Sequence, residues 1–301
     1  MLDRPPHTPN PTGLVPVVGA ALPIGDALIG EPVEKAIEVL PLVFNLCQSA
    51  QSMAVHMAFG RPFDLRLLSD LRIEILRDHL MRLYITWPSF FGGTARALPQ
   101  GWAEGGNDLA HAVFGADTPP ETSHDFAAFL RGDTPAASAL RHIRSAFAPH
   151  EAATNILPPV TDDTAFRKDA CENSVAARHR EHPVMQAIED TLGRGPLWRA
   201  TARLYDIAAC IGGSLPPAVR PSQGRAIVTA ARGAYAVSAA TSGGNVTAFR
   251  RITPTDHLLA PHGILAQSLS SLRPENHGLA PLMLDILDPC SPVELREVAN
   301  A

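Results

Sequence analysis

Apolar residues recur along this chain at helical spacing far more often than in strict alternation. The cleanest case covers 63–86, where Leu65, Leu68, Leu71, Ile75 and Leu83 share a helical spacing and arginines and acids fill much of the rest. Earlier, "GEPVEKAIEVL" predicts a helix with Pro32 in its first turn and acidic residues beside the positive end of the dipole. Pro41 is expected to interrupt it, and "LVFNLCQSAQSMAVHMAF" then reads as a second helical stretch, or a turn leading into one. Helical patterns return at about 135–147, 164–181, 183–192, 196–211, 256–272 and 276–287. Between Trp87 and about residue 133 the Gly and Pro content predicts loops with short helices, and "SLPPAVRPSQG" reads as a connector. One region breaks the helical texture. "RAIVTAARGAYAVSAATSGGNVTAFRRIT" carries two β-rich runs around Ser242–Asn245, a hairpin signal. The pattern as a whole predicts an α+β fold, mainly helical, with a small antiparallel β element. Residues 1–30 read as an irregular N-terminal arm and 31–301 as a single domain.

Composition narrows the function classes. The chain has 301 residues, 46% hydrophobic and 18% charged, which describes an ordinary globular protein with a sizeable core. A net charge of −5 offers no electrostatic attraction to nucleic acid or to an acidic membrane surface. The apolar stretch "GLVPVVGAALPIGDALIG" is broken by Pro16, Pro23 and Asp26, so it does not read as a membrane span. The N-terminus lacks the basic and apolar segments of a signal peptide. Cys47, Cys171, Cys210 and Cys290 are spaced too widely for a disulfide framework, and a cytoplasmic chain with reduced thiols is expected.

Taken singly, the candidate chemical residues are bland. Free cysteine is commonly a small buried hydrophobe, and Cys171 and Cys210 lie in helical patterns with no partner motif nearby. No His-Glu-x-x-His helix and no Cys-x-x-Cys pair occurs, so local spacing does not build a zinc site. "GRG" at 193–195 and "SGGN" lack the strand–loop–helix context of a nucleotide site, and no Gly-x-Ser-x-Gly elbow is present.

Read in order, three motifs carry more. The stretch around Cys47, "GEPVEKAIEVLPLVFNLCQSAQSMAV", resembles the N-terminal cysteine motif of [NiFe]-hydrogenase large subunits. The segment from "VTAARGAY" to "ITPTDHLLAPHGIL" looks like that family's Ala-Pro-Arg-Gly segment, hairpin and Val-Pro-Ser/Thr segment. "DPCSPVELR" is similar to its C-terminal Asp-Pro-Cys-x-x-Cys-x-x-His/Arg motif. The resemblance spans residues 30–296 and implies a reduced form of the large-subunit fold. The departures are specific. Ala50 and Val293 stand where the second cysteine of each motif would be, and the Arg-Ile-Glu-Gly-His segment is absent. Those second cysteines bridge nickel and iron in the hydrogenases, so hydrogen turnover is not expected and nickel is not expected to be held stably. One cysteine per motif in a shortened chain resembles the HupK/HoxV-type hydrogenase expression/formation proteins.

That resemblance implies a non-catalytic maturation factor. It would hold iron carrying cyanide and carbon monoxide, with Cys47 and Cys290 as metal ligands. Arg232 and Thr255 match the positions whose arginine and hydroxyl hydrogen-bond the cyanides in the large subunits. The implied partners are a HypC-type chaperone, the Hyp machinery and the hydrogenase large subunit. Arg296 falls at the motif's His/Arg position, and no proteolytic maturation is expected after it. Two alternatives remain open: a metal-free adaptor docking maturation factors, and a degenerate metalloenzyme.

Overall fold

A computed structural model of the chain describes residues 13–19, 23–43 and 47–297. Among the described residues, helices predominate and two small antiparallel sheets are present. Strand β1 (Leu14–Val18) leads into helices α1 (Ile24–Leu28), α2 (Val33–Val43), α3 (Gln48–Ala58) and α4 (Arg66–Met81). A wider π turn at Arg82–Thr86 joins α4 to α5 (Trp87–Phe90). Then come α6 (Gly106–Phe114), α7 (Ser123–Phe129), α8 (Pro135–Ala146), α9 (Val175–His179), α10 (Pro183–Leu192) and α11 (Pro196–Gly212). Strands β2 (Arg225–Ala230), β3 (Gly233–Ser242) and β4 (Asn245–Ile252) precede α12 (Pro254–Leu258), α13 (Ile264–Ser271), α14 (Ala280–Leu287) and β5 (Val293–Glu297).

The core surrounds α11, which is buried on nearly all sides. A helix so placed would ordinarily be apolar throughout. Here Arg199, Arg203 and Asp206 lie three and four residues apart on one face, and each is buried against a partner. Trp198, on α11 itself, and Trp87, from the helix α5, are the largest fully buried side chains.

Several helices follow the sequence pattern closely, including α8, α10 and α11. The hairpin turn sits at Gly243–Gly244, both with positive φ (58° and 84°), as a two-residue connection between right-twisted strands requires. Other expectations need correcting. Pro41 does not interrupt α2 but lies inside it, with the described helix continuing to Val43. Leu65 and Leu68 are largely exposed (75% and 51%), while Leu71, Ile75 and Leu83 are buried. The first turn of α4 therefore extends past the core. The expected helix at 164–181 reduces to a single turn at Thr164–Phe166 and the short α9. Between them Glu172 and Asn173 hold partners on α11 and β3, which demands an extended chain. The first β-rich run folds into two strands, with Ala231 and Arg232 as the turn between them.

The stretch expected to be an irregular arm carries β1 and α1, while residues 1–12 lie outside the described residues. β1 pairs with β5 along its whole length, Leu14 opposite Glu297 and Val18 opposite Val293. Start and end of the described chain are thereby clamped together, beside the C-terminal cysteine. The tip of the β3–β4 hairpin holds the start of α2: Gly30 N–H donates to the Val246 carbonyl (2.8 Å) and Val33 N–H to that of Gly244 (3.1 Å). That contact sets α2, and so α3, against the three-stranded sheet.

Candidate functional site

Cys47 immediately precedes α3 with a left-handed backbone (φ 60°, ψ 39°). Non-glycine residues rarely adopt this conformation, which costs of order 1 kcal/mol or more and collects at functional sites. The first turn of α3 is capped from α4, where Glu74 Oε2 accepts from Ser49 N–H (2.9 Å). Burial raises the Glu74 carboxyl above its ordinary range, against that bond. Cys290 arrives from the other end of the chain, on the loop between α14 and β5. Its N–H donates to Thr255 Oγ1 (2.7 Å), and Gly19 N–H to the carbonyl of Pro292 (3.3 Å). Asp288, which ends α14, also adopts a left-handed conformation (φ 54°) and turns the chain toward Cys290.

Both cysteines line one cavity of about 190 Å³, with Arg232, Tyr235, Arg251, Gln51 and Thr253 among its walls. The fold thus brings Cys47, Cys290 and Arg232 together. Thr255 does not line this cavity. It lines a smaller adjoining one of about 30 Å³, shared with Arg203, Arg232 and Asp288, and reaches Cys290 through the backbone bond just described. Cys171 and Cys210 are buried in the packing and line neither cavity.

Arg232 is fixed by the turn that carries it. Asn173 clamps the start of β3 like a strand edge, its Nδ2 donating to the Ala234 carbonyl (2.9 Å) and its Oδ1 accepting from Ala234 N–H (2.6 Å). Arg178 Nη2 donates to the Ala230 carbonyl (2.6 Å) on the other arm of the turn. Gly233 is required between them, because its φ is +147° and a Cβ there would come within 2.8 Å of the Asn173 carbonyl oxygen. So held, the guanidinium places Nη1 3.9 Å from Cys47 Sγ, Nη2 3.0 Å from Asp78 Oδ1 and Nε 2.8 Å from Asp288 Oδ1.

A charge network continues behind it. Arg203 donates to Asp78 (3.0 Å), Asp288 (2.8 Å) and His79 Nδ1 (2.8 Å), and Arg82 pairs with Asp285 and Asp288. His79 Nε2 meets Asp206 (2.7 Å), which also pairs with His179 (2.8 Å). Burial works against the Asp288 charge, yet Arg203, Arg232 and Arg82 outweigh it and hold the carboxyl well below the usual range. Burial likewise opposes the Arg232 charge, and Asp288 and Asp78 outweigh it. On the cavity side the balance is reversed. Burial pushes the Cys47 thiol up to about 12, and Arg232 only partly offsets it. Among the described residues, no group of three or more His, Cys, Asp or Glu side chains is placed to hold a metal ion.

No model of a known protein family matches the chain. The hydrogenase expression/formation protein HupK of Rhodobacter capsulatus is 45% identical over 280 residues, covering 93% of this chain and 92% of that protein. The chain belongs to that family. Among solved structures, an NAD+-reducing [NiFe]-hydrogenase in the H2-reduced state superposes with a TM-score of 0.53, at 14% identity over 90% of each chain. The Ni-Fe-Se hydrogenase from D. vulgaris Hildenborough gives 0.53 at 12% identity, over 90% of this chain and 91% of that one. At such identities the likeness shows the fold alone, which is that of the [NiFe]-hydrogenase large subunit.

Within this hydrogenase expression/formation protein, Ala50 is fully buried in the core and Val293 opens β5. Asp78 and Asp288, which anchor Arg232, and Tyr235, which lines the cavity, were not singled out by sequence motifs. Asp288 did carry a local signal as the first residue of Asp-Pro-Cys, and Tyr235 lies three residues past Arg232 in the Ala-Pro-Arg-Gly-like segment; Asp78 carried none.

Proposed function

We propose that this chain is a non-catalytic accessory protein of [NiFe]-hydrogenase maturation that transiently holds the iron–cyanide–carbonyl unit between Cys47 and Cys290. The observation that carries this reading is two thiols from opposite ends of the chain lining one cavity beside a fixed guanidinium. Two thiolates are too few to satisfy a bare tetrahedral ion, which takes four ligands. A metal unit that brings its own diatomic ligands needs fewer from the protein. The cavity also supports this, since about 190 Å³ far exceeds the room a lone ion would fill. Alanine and valine offer no lone pair at positions 50 and 293, so the residues present do not fit a four-thiolate bimetallic centre, and stable nickel is not part of the reading.

Soft thiolates suit low-valent iron, and binding would itself drive off the protons that burial holds on Cys47. Arg232 is anchored on two carboxylates and keeps one nitrogen on the cysteine side, where it can donate to an anionic ligand. Thr255 would act from behind Cys290 by setting its backbone. A site with two protein ligands also lets its cargo leave for the hydrogenase large subunit. A HypC-type chaperone and the Hyp machinery would deliver it, in the cytoplasm.

The test is infrared spectroscopy with iron analysis on protein purified anaerobically from cells assembling active hydrogenase. Bands of bound cyanide and carbon monoxide, lost in Cys47→Ala and Cys290→Ala, are expected. Iron-free protein with no such bands would leave the metal-free adaptor in its place.

A further inference from the structure

Tyr235 is the cavity residue that the hydrogen bonding of the fold does not explain. It lies on β3, three residues beyond Arg232, and is 3% exposed. Its ring packs in the core, where phenylalanine would fill the same volume. Its hydroxyl is buried with the Arg251 guanidinium beside it as a donor and, among the described residues, meets no acceptor for its own proton. A buried O–H left without an acceptor costs stability, and such groups in folded proteins call for an explanation. The residue nonetheless lines the cavity that holds both cysteines and Arg232.

Its surroundings keep the proton in place. Burial raises the phenol above its ordinary range, and neighbouring Arg251, by its charge and its hydrogen bond, works the other way. A tyrosine phenol is in any case protonated at neutral pH, so the group is a hydrogen-bond donor there, in the cavity that both cysteines line. Thr255 lines the adjoining cavity instead, and its hydroxyl oxygen accepts from the Cys290 backbone. Arg232 supplies one donor from the turn, and Tyr235 offers another from the strand.

We propose that Tyr235 is a specificity-determining residue of this site, its hydroxyl donating a hydrogen bond to the outer, lone-pair-bearing atom of an anionic diatomic ligand on the metal unit held by Cys47 and Cys290. This rests on the reading above. It adds that the cavity selects a unit already carrying its cyanides over bare iron, because only the dressed unit gives the buried hydroxyl an acceptor.

Tyr235→Phe removes the oxygen and keeps the ring. In protein purified anaerobically from cells assembling active hydrogenase, the variant should retain about tenfold less iron, as loss of one hydrogen bond to a charged group implies. The cyanide bands that remain should be displaced from their wild-type positions. The melting temperature of the metal-free variant should equal or exceed that of metal-free wild type. Wild-type iron content and band positions in Tyr235→Phe would overturn the proposal and leave the metal reading intact. A lower melting temperature of the metal-free variant would also overturn it, by showing that the hydroxyl serves the fold. Absence of iron and of both kinds of band from the wild type would overturn the reading itself, and the proposal with it.

Discussion

Cys47 and Cys290 face one cavity from unlike supports. Cys47 is held at the start of an 11-residue helix whose first turn is capped by a carboxylate from α4 and whose far face is packed in the core. Cys290 sits on a loop, fixed by one backbone bond to Thr255 and by the pairing of β5 with β1 a few residues on. A helix start defines a ligand position within narrow limits, whereas a loop strapped by a two-stranded sheet can yield. Two-stranded sheets are marginal by themselves and depend on their apolar contacts. Cys47 thus has the stiffer support and Cys290 the more yielding one, a difference that would suit the loading and release proposed above.

The largest expected effect comes from removing either thiol. Cys47→Ala and Cys290→Ala should each abolish hydrogenase formation in cells, while costing the accessory protein only about 1 kcal/mol of stability. Hydrogenase activity, read beside the soluble amount of this protein, decides it. Cys171→Ala and Cys210→Ala should be nearly silent in the same assay. Wild-type hydrogenase activity with both Cys47 and Cys290 replaced would leave only the adaptor.

Next is the anchor shared by the two halves. Asp288→Asn removes one of the two carboxylates that Arg232 and Arg203 share, leaving Asp78, and should cost about 3 kcal/mol by urea unfolding, the lower end for breaking a buried pair on one side. Arg232→Lys keeps the charge and loses the planar fork, so the loss should be smaller. An Asp288→Asn variant as stable as wild type would show that the network contributes little.

The same network sets the response to acid. Asp288 and Asp206 have folded pKa values below their unfolded ones, so their contribution is complete above about 4 and lost as pH falls through and below it. His79 is held neutral, burial being the main cause, so its contribution begins to fall below its unfolded value of about 6.5. Urea midpoints should be level above neutrality, decline gently from about pH 6.5 and steepen below about 4. A midpoint that rises between pH 7 and 5 would contradict this.

The smallest effect separates the cysteines directly. Leu14 is the buried residue of β1, and Leu14→Ala should cost about 2–3 kcal/mol while loosening the strap on β5. Alkylation of Cys290 should then quicken while that of Cys47 stays slow, as mass spectrometry of the labelled peptides would show. Equal acceleration at both sites would mean that they share one support.

Sequence alone settled what is local. The helices at 135–146, 183–192 and 196–212 follow from apolar periodicity, and the hairpin at Gly243–Gly244 from a turn that only small, permissive residues allow. The family was legible because its motifs are short contiguous runs, and through them Cys47, Cys290, Arg232 and Thr255 could be named as candidates. Tertiary structure decided what depends on distant partners. It put β1 on β5, kept Pro41 inside α2, left Leu65 and Leu68 in solvent and turned 167–174 into an extended clamp. It set Thr255 behind Cys290 rather than in the cavity, and brought Asp78 to a site no motif linked it to. The physical reason is one of range. Turn and helix preferences act over a few residues, whereas a buried charge or hydroxyl is defined by the group that meets it, and here Arg82 lies 206 residues from Asp288 and Arg203 lies 125 from Asp78.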